Sequence, residues 1–90
     1  MSSNRHDIIC ERLTAAFAPV RLELQDDSHL HAGHAGAKNG GHYSLSIVST
    51  KFTGLRTLAR HQLIYRCLSD LMKTEIHALS ISAQTPDEAE

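Results

Sequence analysis

The alternation of apolar and polar residues divides the chain into five elements. Apolar residues recur at helical spacing over residues 4–17 and again over residues 55–73, which predicts two amphipathic helices. Alternation of apolar and polar residues over residues 20–25, 42–49 and 79–83 predicts three strands, each with a single apolar face. The predicted order is therefore helix, strand, strand, helix, strand, and no internal repeat interrupts it.

The order of the elements restricts the topology of the sheet. Because each strand has one apolar face, both helices are expected to cover the same side of a three-stranded sheet and to leave the other side to solvent. The second and third strands are connected through the long helix, and such a crossover makes them parallel. A chain of 90 residues is large enough for one modest core. The sequence therefore predicts an α+β fold with a mixed sheet in a single small domain, ordered over about residues 4–84.

The longest predicted loop covers residues 26–41. It contains four of the five glycines and three histidines, His29, His31 and His34. Loops longer than about 12 residues in small domains are usually functional or disordered. Residues 85–90 are polar and acidic, and they are expected to form a frayed tail.

Composition limits the classes of function. Apolar residues make up 41% of the chain and charged residues 21%, which is typical of a globular protein. The net charge of −1 argues against binding of a polyanion by bulk charge. No apolar run approaches the roughly 18 residues of a membrane span. Residues 1–7 are too polar for a signal peptide, so a cytoplasmic protein without a membrane partner is expected.

No catalytic motif stands out. The signatures of P-loops, dinucleotide-binding turns and nucleophile elbows are missing from the sequence. Ser28, His29 and the acids before them are the residue types of a catalytic triad, but neighbours on one loop rarely reach the required geometry. Cys10 and Cys67 lie on apolar helix stripes and are expected to pack in the core. The chain is therefore predicted not to be an enzyme.

Histidine is unusually frequent, with seven in the chain. His42 opens the second predicted strand, and His77 stands just before the third. If those strands are parallel, both histidines lie at the edge where the loop with His29, His31 and His34 arrives. Imidazole is a common metal ligand and titrates close to neutral pH. Two interpretations remain: a histidine metal site at this edge, or solvated loop and strand-end histidines that bind nothing.

The long helix carries a second candidate site. Residues 51–73 contain five basic residues and one acidic residue, a local charge of +4. Arg56, Arg60, His61 and Arg66 would attract a phosphate backbone or an acidic protein surface. The alternative is the solvated face of an amphipathic helix. The chain has only four aromatic residues, so platforms for base stacking are scarce.

Several separated blocks of the sequence, in the same order, resemble the BolA family over about residues 8–86. The resemblance implies a fold similar to the class II KH arrangement, in agreement with the element order above. The blocks are the loop Asp26-Asp27-Ser28-His29-Leu30-His31-Ala32-Gly33-His34-Ala35-Gly36, then His42, Ile47-Val48-Ser49, Phe52-Thr53-Gly54, Arg60-His61, Ile64-Tyr65, His77-Ala78-Leu79 and Thr85-Pro86.

The resemblance also implies a function. Members of this family are adaptors that pair with monothiol glutaredoxins around a 2Fe–2S cluster, which a glutaredoxin cysteine, a glutathione thiol and histidine of the BolA-like partner hold. His77 is the ligand carried over most directly. His31 best matches the family's second ligand in the loop, and His34 is the next candidate. Without its partner the protein is expected to be a monomer or a weak homodimer.

Other members of the family resemble transcriptional regulators that bind DNA. On this alternative, DNA is the partner, and Arg56, Arg60, His61 and Arg66 of the long helix would contact it. One departure weakens that implication, because KH domains hold nucleic acid with a Gly-X-X-Gly turn between two helices. Here the same letters fall at residues 33–36, in the hairpin loop.

Overall fold

The computed structural model describes residues 5–27 and 41–89 of the chain. Within these ranges no helix is long and apolar enough to cross a bilayer. A short 3-10 turn follows the second strand at Thr50–Phe52. The helices and strands, in chain order, are α1 (Arg5–Phe17), β1 (Arg21–Asp26), β2 (Gly41–Val48), α2 (Thr57–Cys67), α3 (Ser69–Thr74), β3 (Ile76–Gln84) and α4 (Pro86–Ala89).

The three strands form one sheet in the order β1-β2-β3. β1 and β2 pair antiparallel, and β2 and β3 pair parallel. The predicted α+β class, with its mixed sheet and crossover, is therefore confirmed. The similarity to the class II KH arrangement stays a prediction.

One face of the sheet carries the core. Along β2 the side chains of Tyr43, Leu45 and Ile47 are buried, while the serines between them are only partly covered. Helices from both halves of the chain pack on this apolar face, as predicted from the strand pattern. The helical residues that complete the buried cluster are Ile9, Leu13 and Phe17 of α1, Ile64 of α2, Leu68 between α2 and α3, and Leu71 of α3.

The predicted long helix over residues 55–73 is divided in two. Leu68 interrupts it with φ −104° and ψ 14°. The Leu68 N–H still donates to the Ile64 carbonyl at 3.0 Å, and the Met72 N–H donates to the Leu68 carbonyl at 2.9 Å. Because Leu68 remains fully buried across this break, the apolar spacing continues from one helix to the next. The apolar periodicity over residues 55–73 reflects burial and not backbone geometry, and it therefore predicted a single helix.

Residues 86–89 are helical, whereas the sequence predicted a frayed tail over residues 85–90. Thr85 and Glu88 cap α4 reciprocally: the Thr85 N–H donates to Glu88 Oε1 at 3.0 Å, and the Glu88 N–H donates to Thr85 Oγ1 at 3.3 Å. This is the arrangement of a capping box. Pro86 stands at the first helical position, where a missing N–H costs nothing.

Two strand boundaries also differ from the prediction. β3 begins at Ile76, three residues before the predicted start, so His77 lies inside the strand and not ahead of it. Val20 was expected on the buried face of the first strand, but it precedes β1 and is 69% exposed. The apolar face of β1 consists of Leu22 and Leu24, which pack against the core only partly.

Candidate histidine site

Two histidines meet at the edge of the sheet where β2 and β3 begin. Because β2 and β3 are parallel, His42, the second residue of β2, and His77, the second residue of β3, lie at the same end. Their ring centroids are 5.0 Å apart, and the ring planes are inclined by 45°. The predicted meeting of these two residues is confirmed. We call them the histidine pair.

An irregularity in the strand pairing brings the two rings together. Gly41 pairs with Ile76 and His42 pairs with Ala78, so His77 is an extra residue with no partner on β2. Extra residues of this kind are β-bulges, and they redirect a side chain that the regular alternation would have sent elsewhere. The bulge therefore sets the position of the His77 ring.

Backbone hydrogen bonds fix this edge from both sides. The Gly41 N–H donates to the Glu75 carbonyl at 3.0 Å, and the Asp27 N–H donates to the His42 carbonyl at 2.7 Å. Ser44 Oγ donates to Asp27 Oδ2 at 2.6 Å. A Cβ on Gly41 would lie 2.6 Å from Cε2 of the buried Tyr43 ring, so only glycine fits at this point of close approach.

The histidine pair is open to solvent. His77 is exposed and His42 is half-buried. The other predicted ligands, His31 and His34, lie with His29 outside the described residues, and their roles stay predictions. Within residues 5–27 and 41–89, no group of three or more histidine, cysteine or acidic side chains is arranged to hold a metal ion. The pair therefore supplies two protein ligands at most from the part that is described.

The sequence-derived nucleic-acid candidates do not form one surface. Arg60 is only 8% exposed, and its guanidinium points into the protein. Its Nε donates to the Leu55 carbonyl at 2.8 Å, and its Nη1 donates to the Ala83 carbonyl at 2.9 Å. Its Nη1 and Nη2 each also donate one hydrogen to the Glu88 carboxylate. While α4 is in place, four of the five guanidinium hydrogens of this arginine are used within the protein, and burial restricts access of a phosphate to the fifth. Its contacts hold α2, β3 and α4 together.

The other basic candidates lie in α2 or directly before it, and they differ in exposure. Arg56 and Arg66 are exposed, and His61 is half-buried. The single acid in this region, Asp70, is held by Arg12 of α1 at 2.7 and 3.1 Å, which lowers the pKa of the Asp70 carboxyl. Arg56 and Arg66 are therefore the candidates from this set that an external anion could reach directly.

The two cysteines occupy packing positions. Cys10 and Cys67 are free thiols, each half-buried, and Cys67 packs against the core. Burial raises the pKa of both thiols above the ordinary value of 9.0. A raised pKa disfavours the thiolate, which is the reactive form. This environment agrees with the predicted structural role.

Comparison with known proteins assigns the family. The model of the BolA-like protein family matches residues 13–88, most of the chain. The chain belongs to the BolA-like family.

Relatives of known sequence support the assignment. The protein is 40% identical over 90 residues to the chloroplastic protein BOLA1 of Arabidopsis thaliana, covering 96% of this chain and 56% of that protein. It is 44% identical over 86 residues to SufE-like protein 1 of the same plant, covering 89% of this chain and 23% of that protein. The chain thus spans about half of one and about a quarter of the other. The protein is also 42% identical over 80 residues to the DNA-binding transcriptional regulator BolA of Escherichia coli K12, covering 89% of this chain and 74% of that protein.

Solved BolA structures share the architecture described above. BolA1 from Arabidopsis thaliana superposes with a TM-score of 0.88 at 38% identity, covering all of both chains. The BolA domain of SufE1 from the same plant superposes with a TM-score of 0.85 at 44% identity, covering 98% of this chain and 99% of that one. The BolA-like fold is therefore established for the present chain.

Sequence reasoning placed His42 at the same edge as His77 but did not assign it as a metal ligand. The signal available was the position of His42 at the start of the second strand, which the parallel topology brings to the same edge as His77. The bulge at His77 could not be found from the sequence, because no glycine or proline in β3 marks it.

Proposed function

We propose that this BolA-like protein is a non-enzymatic adaptor that pairs with a monothiol glutaredoxin and supplies histidine to a shared 2Fe–2S cluster. The observation that supports the proposal is the histidine pair, with its 5.0 Å ring separation at a solvent-exposed edge. Asp27 and Gly41 lie at the same edge, and in the sequence they flank residues 28–40, which contain the second predicted ligand. His77 is the ligand that we assign first, and His31 or His34 would be the second.

The residues present fit such a cluster. Imidazole replaces thiolate on one iron of Rieske-type 2Fe–2S centres, where it raises the reduction potential. When bound, the cluster would supply redox chemistry tuned in this way. The contribution of this chain is positional, because the β3 bulge presents His77 and the backbone bonds of Gly41 and Asp27 hold the neighbouring strand in register.

The comparison with SufE-like protein 1 supports a portable binding module. In that plant protein a BolA domain accounts for a minor part of a longer chain. A domain that occurs both within a larger protein and in short relatives is expected to act through what it binds. The cytoplasmic location expected from the sequence is part of the proposal and awaits its own test.

Reconstitution of the heterodimer tests the proposal. The full chain is mixed with a recombinant monothiol glutaredoxin, glutathione, iron and sulfide, and visible absorption and circular dichroism are recorded. His77→Ala is expected to change the spectrum and to shorten the lifetime of the cluster. His61→Ala is the matched control, because it removes an imidazole from α2 and should leave the spectrum unchanged.

The outcomes separate the parts of the proposal. A heterodimer whose spectrum and lifetime are the same in His77→Ala would contradict ligation by this residue. Failure to form any heterodimer in size-exclusion chromatography would contradict the glutaredoxin partner itself. The single variants His31→Ala and His34→Ala identify the second ligand, because only the ligating histidine should alter the spectrum.

DNA binding is the second candidate function. It is favoured by the relative from Escherichia coli, which is named a DNA-binding transcriptional regulator. It is also favoured by two exposed arginines, Arg56 directly before α2 and Arg66 within it. His61 lies on the same helix, whereas Arg60 is held by Glu88 and would contribute only if α4 moved away.

Salt-dependent binding of duplex DNA tests this alternative. Each phosphate contact adds about 0.9 to the slope of log K against log salt. Arg56→Gln and Arg66→Gln should each weaken binding and reduce the slope, while Arg21→Gln, an exposed arginine of β1, should change neither. Absence of binding at low salt would exclude the function.

A further inference from the structure

We propose that His42 and His77 together bind a divalent transition-metal ion, with Zn²⁺ as the representative, in the free protein. This site differs from the proposed shared cluster in its second ligand, in the kind of metal and in needing no partner protein. Both of its protein ligands lie in the part of the chain that the structure describes, and it needs no ligand from residues 28–40.

The separation of the rings suits a common ion. A tetrahedral ion with Zn–N distances of about 2.0–2.1 Å would hold two imidazole centres roughly 5 Å apart. The observed separation of the His42 and His77 centroids is 5.0 Å. The ring planes are inclined by 45°, so the two rings are not stacked in parallel.

The backbone that carries the two rings is already ordered before a metal ion binds. Both histidines belong to strands of the sheet, and sites on strands are more precise than sites on loops. The Gly41 N–H donates a hydrogen bond to the Glu75 carbonyl at the α3–β3 junction, and the His42 carbonyl accepts one from the Asp27 N–H. These bonds hold the strand ends at a fixed separation. The bulge at His77 is already present without any ligand.

The donor set selects the class of ion. Imidazole suits Zn²⁺, Cu²⁺ and Ni²⁺, whereas Mg²⁺ and Ca²⁺ require oxygen ligands. Because His77 is exposed, water would fill the remaining coordination positions. If the proposed function also holds, His77 would coordinate the ion in the free protein and the cluster in the heterodimer. Binding of glutaredoxin and the cluster would then have to displace the ion.

The experiment separates the histidine pair from the three histidines of residues 28–40. A tag-free full chain with His29→Ala, His31→Ala and His34→Ala combined is titrated with ZnCl₂ at neutral pH. Binding is measured by calorimetry, and imidazole nitrogens are observed by long-range ¹H–¹⁵N NMR. We expect one ion per chain, with the shifts concentrated on the signals of His42 and His77.

Single substitutions in that background decide the outcome. His42→Gln and His77→Gln should each weaken Zn²⁺ binding roughly tenfold or more, since removal of even an indirect partner of a metal ligand has an effect of this size. His61→Gln should bind Zn²⁺ as the parent does. Amide NMR spectra verify that each variant is folded.

Two results would overturn the proposal: no Zn²⁺ binding once the three loop histidines are removed, or full affinity in His42→Gln. Neither depends on a partner protein. A failed glutaredoxin reconstitution with a successful Zn²⁺ titration would contradict only the proposed function, and the reverse would contradict only the present inference.

Discussion

The guanidinium of Arg60 and the carboxylate of Glu88 form a two-pronged ion pair, with N–O distances of 2.6 and 3.0 Å, that fastens α4 to α2. Bidentate pairs of this kind are stronger and more directional than single contacts. Since Arg60 also donates to the carbonyls of Leu55 and Ala83, removal of Glu88 would leave a buried charge with only part of its partners. The C-terminus is thereby part of the folded unit.

The pH dependence of stability should reveal this pair. The hydrogen bonds from Arg60 and from the Thr85 N–H lower the pKa of Glu88 to about 2, from an ordinary value of 4.5. A carboxyl whose pKa is lower in the folded state contributes stability above its unfolded pKa and loses that contribution as the pH falls towards the folded value. The free energy of unfolding of the wild type should therefore fall between about pH 5 and pH 2 more steeply than that of Glu88→Gln.

Urea denaturation at a series of pH values measures the difference between wild type and Glu88→Gln, which should be largest near neutrality and shrink on acidification. Asp87→Asn, an exposed neighbour on the same helix, is the control and should follow the wild type. Parallel curves for wild type and Glu88→Gln over the whole series would contradict the prediction.

A methyl group at Gly41 should disturb the core beneath the histidine pair. In Gly41→Ala the new Cβ would stand 2.6 Å from the ring of Tyr43 and 2.9 Å from Arg5 Nη1, and the buried ring has little room to move. We expect a loss of about 1–3 kcal/mol in the free energy of unfolding, the usual effect of overpacking. The near-ultraviolet circular dichroism of tyrosine should change as well.

Gly54→Ala provides the comparison for Gly41→Ala. Gly54 has φ +81° and no atom near the position of a new Cβ, so the substitution is strained by the backbone alone, by about 1–2 kcal/mol. Its tyrosine signal should be that of the wild type. An unchanged tyrosine signal in Gly41→Ala would show that the ring accommodates the methyl group.

The core depends on the buried face of α2. Ile64 is fully buried between the helices and the sheet, so Ile64→Ala should lower the free energy of unfolding by about 2–5 kcal/mol. Leu58 on the same helix is 70% exposed, and Leu58→Ala should change the free energy of unfolding by no more than about 0.5 kcal/mol. Chemical denaturation of both variants measures the contrast, and equal losses would contradict the assigned orientation of α2.

The cysteines should react slowly in the folded protein. Burial raises the pKa of Cys10 and of Cys67, which reduces the thiolate fraction at pH 7.5 and restricts access of reagents. Ellman's reagent should modify both thiols much more slowly in buffer than in concentrated urea. Modification of either at the same rate under both conditions would contradict its structural role.

The sequence was sufficient for the architecture because alternation reports burial directly. Leu45 and Ile47 on one strand and Leu13 and Ile64 on the helices gave the apolar faces, and those faces required helices on one side of the sheet. The crossover connection through the helices then predicted that β2 and β3 are parallel. The meeting of His42 and His77 followed from topology, although the two are far apart in sequence.

The remaining features depend on local geometry that burial does not encode. Leu68 keeps its apolar position while its backbone leaves helical geometry, so periodicity could not reveal the break. Arg60 looked like a solvated charge, and only the fold brings Glu88 within reach of it. For α4 a signal did exist, because Thr85-Pro86-Asp87-Glu88 has the spacing of a capping box.

The parallel pairing of β2 with β3 also links the histidine pair to the overall topology. β1 and β2 are consecutive strands, whereas two helices separate β2 from β3 in the chain, and non-local pairings of this kind slow folding. His42 and His77 therefore meet only where β3 is paired with β2. Any ligand held by both rings would bind the completed chain in preference to partly folded forms, and its binding energy would add to the stability of the finished topology.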